Sequence, residues 1–253
     1  MIEGMGLFLA GLIGGMVNAI AGGGSFITFP ALMAAGVPPI AANATNTFAS
    51  SAGYLSGAAG FHRELWVHRR HLPKIAVSAL IGGGLGAWLL LHTPENTFSR
   101  AIPWLLLLAT LLLVWGDPVQ DAFRRRFDGK QFFSALGGVL LALSLLLVST
   151  YGGFFNAGLG IILLGYFTLA GYQDIHLMNG LKLLVSALVS ILAIAMFGVG
   201  DLIAWRQGTI VLIGTLIGGY AAASAVRVVS QRLVRRAIIG VAAGMTAYFF
   251  MAN

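Results

Sequence analysis

The sequence predicts an all-α, polytopic membrane protein made of two inverted repeats, each a glycine-broken re-entrant helical hairpin followed by three transmembrane helices. Composition is the first observation: 58% of the 253 residues are hydrophobic, 9% are charged, and the mean hydropathy is +0.89. These values lie far from those of soluble proteins. The second observation is an internal repeat of a glycine-rich segment. The third is the placement of Lys and Arg: a loop rich in basic residues in one half corresponds to a loop poor in them in the other half.

The repeat is centred on two asparagines. The sequence GGMVNA of residues 14–19 recurs as GGFFNA at 152–157, and Asn18 and Asn156 are therefore 138 residues apart (156 − 18 = 138). Gly82-Gly83 and Gly218-Gly219 are similarly related, at a distance of 136 (218 − 82 = 136). Transporters commonly combine duplicated halves with glycine-interrupted apolar segments around a central site. We therefore predict a first repeat over 1–126 and a second over 127–253.

Each repeat contains one broken apolar segment and three uninterrupted ones, which end at charged or Pro-rich stretches. An uninterrupted segment of roughly 20 apolar residues is long enough to cross a bilayer as a helix. The first repeat is predicted to contain a hairpin at 4–35 and helices at 40–61, 72–91 and 98–116; the second, a hairpin at 131–170 and helices at 175–199, 207–226 and 234–251.

The hairpins are predicted to be re-entrant because inverted repeats require an odd number of crossings in each half. The two legs of the first hairpin, 5–21 and 25–35, have roughly 17 and 11 residues and are too short for two full crossings. The tip Gly22-Gly23-Gly24 would then lie near the middle of the membrane, where irregular backbone needs protein or water to satisfy it. A double crossing of the longer second hairpin would leave the orientation unchanged.

Loop charges set the orientation. Twelve of the fifteen basic residues form three clusters, which the positive-inside rule assigns to the cytoplasm, whereas loops 92–100 and 200–206 carry few and belong outside. Both termini are then expected to be periplasmic or extracellular. The N-terminus is not expected to be a cleaved signal peptide, because Glu3 precedes its apolar run and no basic residue does. The clusters are Arg63, Arg69, Arg70 and Lys74; Arg124, Arg125, Arg126 and Lys130; and Arg227, Arg232, Arg235 and Arg236.

The candidate substrate site consists of polar or glycine residues within apolar segments, where an unpaired amide costs roughly 2 to 7 kcal/mol. Lys182 is the only basic residue well inside a predicted span, and it matches Asn46 in the first repeat (182 − 46 = 136). Such a cation either marks an anion path or extends to the headgroups. Asn18 and Asn156 could instead cap helices or join them. The predicted substrate-binding residues are Asn18, Gly22, Gly23, Gly24, Ser25, Asn43, Thr45, Asn46, Thr47, Asn156, Asn179 and Lys182, and further polar candidates are Thr28, Ser50, Ser149, Ser186 and Ser190.

Several functional classes are disfavoured by what the sequence lacks. All eight acidic residues lie in predicted loops or at segment ends, so neither a proton relay nor a strong cation site is expected within the membrane. Cysteine is absent and no histidine has metal-ligand spacing, so we expect no metal, no cofactor and no enzymatic activity. The net charge of +7 reflects topology rather than nucleic-acid binding. Pairs such as Gly82 and Gly86 are typical of close helix packing or of a homodimer face.

Three sequence motifs resemble the TauE/SafE sulfite exporter family. They are Asn18 to Ser25 (NAIAGGGS), Phe29-Pro30, and Gly36-Val37-Pro38-Pro39 leading into Ala44-Thr45-Asn46. The second-half counterpart, Asn179-Gly180-Leu181-Lys182, departs from the threonine-containing form of the first. The resemblance covers essentially the whole chain. It implies a secondary transporter of the inner membrane that moves sulfite, a sulfonate or a related organic anion.

The predicted function is therefore alternating-access transport of a small anion, with export favoured. An uptake permease for a related sulfur or carboxylate anion is the alternative, since a symmetrical site has no inherent direction. From other classes, a membrane enzyme and a non-transporting scaffold remain open, as does a channel. The expected partners are the anion and the lipid bilayer, with a homodimer as a further option.

Overall fold

The computed structural model describes residues 2–70, 72–126, 135–225 and 231–252. These residues form helices and contain no strand. The basic residues Lys130 and Arg227 and the predicted hairpin start at 131–134 lie outside the described residues. The helices are α1 (Ile2–Ala21), α2 (Ser25–Ala34), α3 (Pro39–Gly60), α4 (His62–Val67), α5 (Leu72–Leu91), α6 (Glu95–Arg126), α7 (Ala135–Phe154), α8 (Leu159–Leu169), α9 (Ile175–Val199), α10 (Trp205–Ala225) and α11 (Gln231–Ala252).

The two halves have the same order of helix lengths, apart from the short α4 in the first. A helix of 20 residues is followed by one of 10 in α1 and α2, and one of 20 by one of 11 in α7 and α8. Three long helices then follow in each half. The backbone repeats as well: Gly22 and Gly158 have φ values of +80° and +79°, and Gly36 and Gly171 have +78° and +89°.

Helix contacts are exchanged between the halves. α1 packs along α10, and α7 packs in the same way along α5. Glycines allow both approaches, since Gly11 lies against the backbone of Val211, and Gly86 against that of Thr150. The corresponding third pair is α3 with α10 and α9 with α5. Each hairpin is therefore packed on a long helix of the opposite half.

The order of residue contacts gives the helix directions. Gly57 contacts Leu183 and Gly180 contacts Phe61, so the equivalent helices α3 and α9 run antiparallel. Trp104 makes an edge-to-face contact with Phe250, and the Thr110 and Thr246 hydroxyls lie 3.2 Å apart across α6 and α11. With Arg235 of α11 reaching the Leu113 carbonyl oxygen of α6, this second pair of equivalent helices is antiparallel too.

The hairpins return the chain to the end at which they began. Gly11 and Gly15 of α1 lie against Val211 and Thr215 of α10, and Thr45 and Ala49 of α3 are hydrogen-bonded to Ala204 and Thr215. The contacts advance together along the three helices, so α1, α3 and α10 run side by side in one direction. Because α1 and α3 are parallel, α2 must run back between them. α1 has 20 residues, about 30 Å, and is longer than the predicted first leg.

Within the described residues, four helices are long and apolar enough to cross a membrane by length and composition, over Ile2–Ile20, Leu72–Leu91, Glu95–Trp115 and Ile175–Val199. α3 is equally long, with 22 residues, but its apolar character is lowered by Asn, Thr and Ser side chains. α6 continues to Arg126, ten residues beyond the apolar stretch predicted at 98–116 (126 − 116 = 10).

Candidate functional site

The tips of the two hairpins meet inside the protein. Gly22 has a positive φ, which favours glycine, and a Cβ atom placed there would lie 3.2 Å from the Gly160 backbone. Gly158 provides the same backbone conformation at the start of α8. The half-length helices α2 and α8 both begin at these tips. The positive ends of their dipoles therefore lie at the centre of the bundle.

A polar network fixes the first tip to α3. The Asn46 amide nitrogen donates to the Ser25 hydroxyl at 3.1 Å, and the Asn46 amide oxygen accepts from the Thr28 hydroxyl. All three side chains are buried. Asn46 therefore uses both ends of its amide to hold the first turn of α2. Within this network the Asn46 amide oxygen and one of its two amide hydrogens are engaged.

Two hydrogen bonds connect α3 to the second hairpin. The Asn43 amide nitrogen donates to the carbonyl oxygen of Phe154, the last residue of α7, at 2.9 Å. The Tyr54 hydroxyl donates to the Asn156 amide oxygen at 2.6 Å. Asn18 lies beside the same hydroxyl. Asn18 and Asn156, the pair at the centre of the sequence repeat, are thus brought together around Tyr54.

Tyr54 was not among the predicted site residues. Its spacing from Asn43, Thr47 and Ser50 places it on their face of α3, so helical periodicity could have identified it. The aromatic ring made it resemble a packing residue instead. Its side chain is buried, with 3% exposed.

Lys182 lies next to the meeting point of the tips. The side chain is 1% exposed, and it is the only charged residue among the buried side chains of the described residues. Its Cδ atom lies 3.4 Å from the position that a Cβ atom would take on Gly160. The ammonium donates to the Asn179 amide oxygen at 3.0 Å, one turn earlier on α9. The side chain therefore points inward and does not extend to the protein surface.

Other predicted residues are placed around rather than at this centre. Thr45 lies on the opposite face of α3, where its hydroxyl accepts from the Ala204 backbone N–H at 2.9 Å. The Thr47 hydroxyl donates to the Asn43 carbonyl oxygen within the same helix. Gly23 lies against Ile238, and Gly24 packs on Gly14. These positions shape the hairpin and its packing.

A separate cavity of about 570 Å³ lies between α2, α6 and α11. Its walls are mostly apolar, with Met33, Ile102 and Phe249 among the described lining residues and no cationic side chain among them. It is less suited to an anion than the centre. Among the described residues no group of three or more His, Cys, Asp or Glu side chains is placed to hold a metal ion.

Comparison with known protein families identifies the family of this chain. The family model described as sulfite exporter TauE/SafE matches residues 7–249, a range that begins within α1 and ends within α11. The chain belongs to the TauE/SafE family. No solved structure matched it.

The TauE/SafE relatives are similar over nearly their full lengths. A probable membrane transporter protein of Haemophilus influenzae is 30% identical over 242 residues, which are 95% of this chain and 92% of the relative. The probable membrane transporter protein YfcA of Escherichia coli K12 is 29% identical over 243 residues, 95% and 87% of the two chains. The probable membrane transporter protein ORF9 of Sinorhizobium sp. is 27% identical, covering 90% and 87%. With its apolar helices, this chain is a multi-pass membrane protein of a transporter family.

Proposed function

We propose that this protein is a secondary transporter that binds a small anion where the hairpin tips meet. The buried ammonium of Lys182 is the observation that carries the proposal, because a buried cation without a carboxylate partner is costly unless an anion compensates it. The N-termini of α2 and α8 add two positive dipole ends at the same place. None of the described acidic side chains is buried, so none of them compensates the charge of Lys182 in the interior.

Transport is proposed to occur by alternating access between two inverted repeats. The antiparallel pairs α3 with α9 and α6 with α11 support the inversion, as does the exchange of hairpin contacts between the halves. In such a design, rocking of one repeat against the other exposes a fixed central site to each side in turn. Asn18, Asn43 and Asn156 lie where the repeats meet, so their hydrogen bonds would change in that motion.

The proposed substrate is sulfite or an organosulfur anion such as a sulfonate, moved across the inner membrane with export favoured. The family description supports the sulfur chemistry. Neutral amide and hydroxyl donors around a single ammonium suit an oxyanion that has to enter and leave. By the positive-inside rule, the basic ends of α4 and α11 face the cytoplasm and both termini lie on the other side of the membrane.

Purified protein in proteoliposomes tests this function. We expect saturable counterflow of radiolabelled sulfite, with unlabelled sulfonates or sulfite inside the vesicles accelerating entry of label. A stabilisation of about 2.7 kcal/mol is expected at a hundredfold excess of a true ligand over its dissociation constant. Failure of sulfite, sulfate, thiosulfate, sulfonates and small carboxylates to produce either effect would reject anion transport. Linear, unsaturable flux would instead indicate a channel.

The orientation is tested by single-cysteine labelling, since the natural chain has no cysteine to remove. A membrane-impermeant maleimide should label Glu95→Cys from the periplasmic side of intact cells, and Trp66→Cys only after permeabilisation. Both residues are exposed and lie at opposite ends of the bundle. The reverse labelling pattern would overturn the assigned orientation while leaving the fold intact.

A further inference from the structure

Unmade hydrogen bonds are unevenly distributed between the two repeats. Among the described residues, four buried side-chain atoms have no hydrogen-bond partner: Ser149 Oγ, Asn156 Nδ2, Ser186 Oγ and Ser190 Oγ. All four belong to the second repeat, although the first repeat buries at least as many polar side chains. A buried donor without a partner costs about 1 to 3 kcal/mol. Groups of this kind call for an explanation such as a ligand or bound water.

Two of the four form a stripe with Lys182 on α9. Lys182, Ser186 and Ser190 are four residues apart and share one face of the helix. On one side of the stripe, Leu183 and Ala187 pack against Tyr54 and Ala58 of α3. On the other, Val185 and Val189 pack with residues of α5 and α7. The stripe therefore faces the centre of the bundle between these two contacts.

The hydroxyl groups of Ser186 and Ser190 also lack the hydrogen bond that serine usually makes to its own helix. Elsewhere in the protein, Thr47, Ser56 and Ser144 donate to a carbonyl oxygen three or four residues earlier in their own helix. Ser186 and Ser190 make no such bond, although both are at most 1% exposed. Their hydroxyl groups remain available as donors in the interior.

The repeat shows what is different at these positions. Ser186 corresponds to Ser50 and Ser190 to Tyr54, each at the offset of 136 that relates Asn46 to Lys182 (186 − 50 = 136; 190 − 54 = 136). In the first repeat the Tyr54 hydroxyl meets its partner on Asn156. In the second, a hydroxymethyl group replaces the phenol ring. The second repeat thus has a smaller side chain and an unpaired donor where the first has a completed contact.

We propose that Ser186 and Ser190 bind the oxygen atoms of the transported anion, together with the free amide hydrogens of Asn156 and the ammonium of Lys182. The proposal rests on the proposed function and specifies its ligand groups. Two hydroxyl groups one turn apart on the same face of α9 can donate to different oxygens of one anion, and the ammonium on the preceding turn supplies positive charge beside them. A ligand with several acceptor oxygens and a negative charge, such as sulfite or a sulfonate, has the chemistry that these donors require.

The test compares Ser186→Ala and Ser190→Ala with the wild type, using sulfite and methanesulfonate as probes. Each substitution should raise the dissociation constant measured by calorimetry about tenfold, since each removes one hydrogen bond to a charged ligand. Without anion, the melting temperature should be unchanged or higher, because an unpaired buried hydroxyl has been removed. Ser190→Thr, which keeps the hydroxyl, should retain more affinity than Ser190→Ala. Ser56→Ala is the matched control, with unchanged affinity expected because that hydroxyl bonds its own helix.

The outcomes separate this inference from the function on which it rests. Unchanged affinity in both alanine variants, with normal binding by the wild type, would overturn the assignment of Ser186 and Ser190 alone. A lower melting temperature of the anion-free alanine variants would also count against it, since it would show a structural partner. Absence of binding by the wild type would reject the anion site as a whole.

Discussion

Replacing Lys182 by methionine should change stability and anion affinity in opposite directions. Methionine keeps most of the length and apolar stem of lysine but removes its charge. In the structure the ammonium is buried, has one neutral partner at 3.0 Å on Asn179, and pairs with no buried carboxylate of the described residues. Burial of an ion costs several kcal/mol, and one hydrogen bond to a charged group returns about 1.5 to 3 kcal/mol. We therefore expect the anion-free variant to be more stable by about 1 to 4 kcal/mol.

The same change should weaken anion binding. Two opposite unit charges about 4 Å apart attract each other by about 4 kcal/mol at an effective dielectric constant of about 20. Loss of a charge-assisted hydrogen bond alone removes about 1.5 kcal/mol, which is roughly tenfold in affinity. The dissociation constant for sulfite or a sulfonate should therefore rise at least about tenfold. Saturable flux should fall at concentrations below the new constant.

Thermal unfolding with and without anion, combined with proteoliposome flux, measures both effects on one preparation. The control is Lys74→Met, because Lys74 lies exposed near the start of α5, away from the tips. It should leave affinity and flux within error of the wild type. A destabilised Lys182→Met variant with unchanged affinity would show that the ammonium has a structural role only, and would remove it from the site.

Three further substitutions test the packing around the site. Gly22→Ala should destabilise the protein more than Gly36→Ala: both have positive φ and incur about 1 to 2 kcal/mol, but only Gly22 also approaches another backbone, and equal melting temperatures would contradict the contact between the tips. Tyr54→Phe should lower the free energy of unfolding by about 1 to 3 kcal/mol through loss of its bond to the second hairpin, whereas exposed Tyr248→Phe should not. Asn46→Ala should reduce the melting temperature, since two buried hydroxyl groups on α2 each lose a hydrogen bond, while the affinity of the folded fraction for sulfite changes less than in Lys182→Met.

The helical class and the order of the elements could be predicted because they depend on local patterns. Apolar length and the glycine repeat identify helices and hairpins without knowledge of their neighbours. The length of α6 could not be obtained in this way, since the helix continues past its apolar stretch into the polar residues ending at Arg126. Helical continuation there is not marked by hydropathy.

The candidate residues of α3 do not all face the same neighbours, and the reason is physical. The run Asn43 to Thr47 contains four polar residues out of five, yet a helix turns by about 100° per residue, so they cannot share one face. Thr45 consequently lies against the start of α10. Whether Lys182 turned inward depended on the packing of α8 against α9, which the sequence of α9 alone does not contain.

The hydrogen bonds of the two halves differ at equivalent positions. In the first repeat, both ends of the Asn46 amide are hydrogen-bonded, to Ser25 and to Thr28, and so connect the hairpin to α3. In the second, Lys182 replaces that asparagine and has only Asn179 as a partner, while Asn156 keeps a free amide nitrogen. A buried network whose groups are hydrogen-bonded is rigid, whereas a buried group without a partner is stabilised when a ligand supplies one. We therefore expect substitutions at equivalent positions to act differently, on stability in the first repeat and on anion affinity in the second.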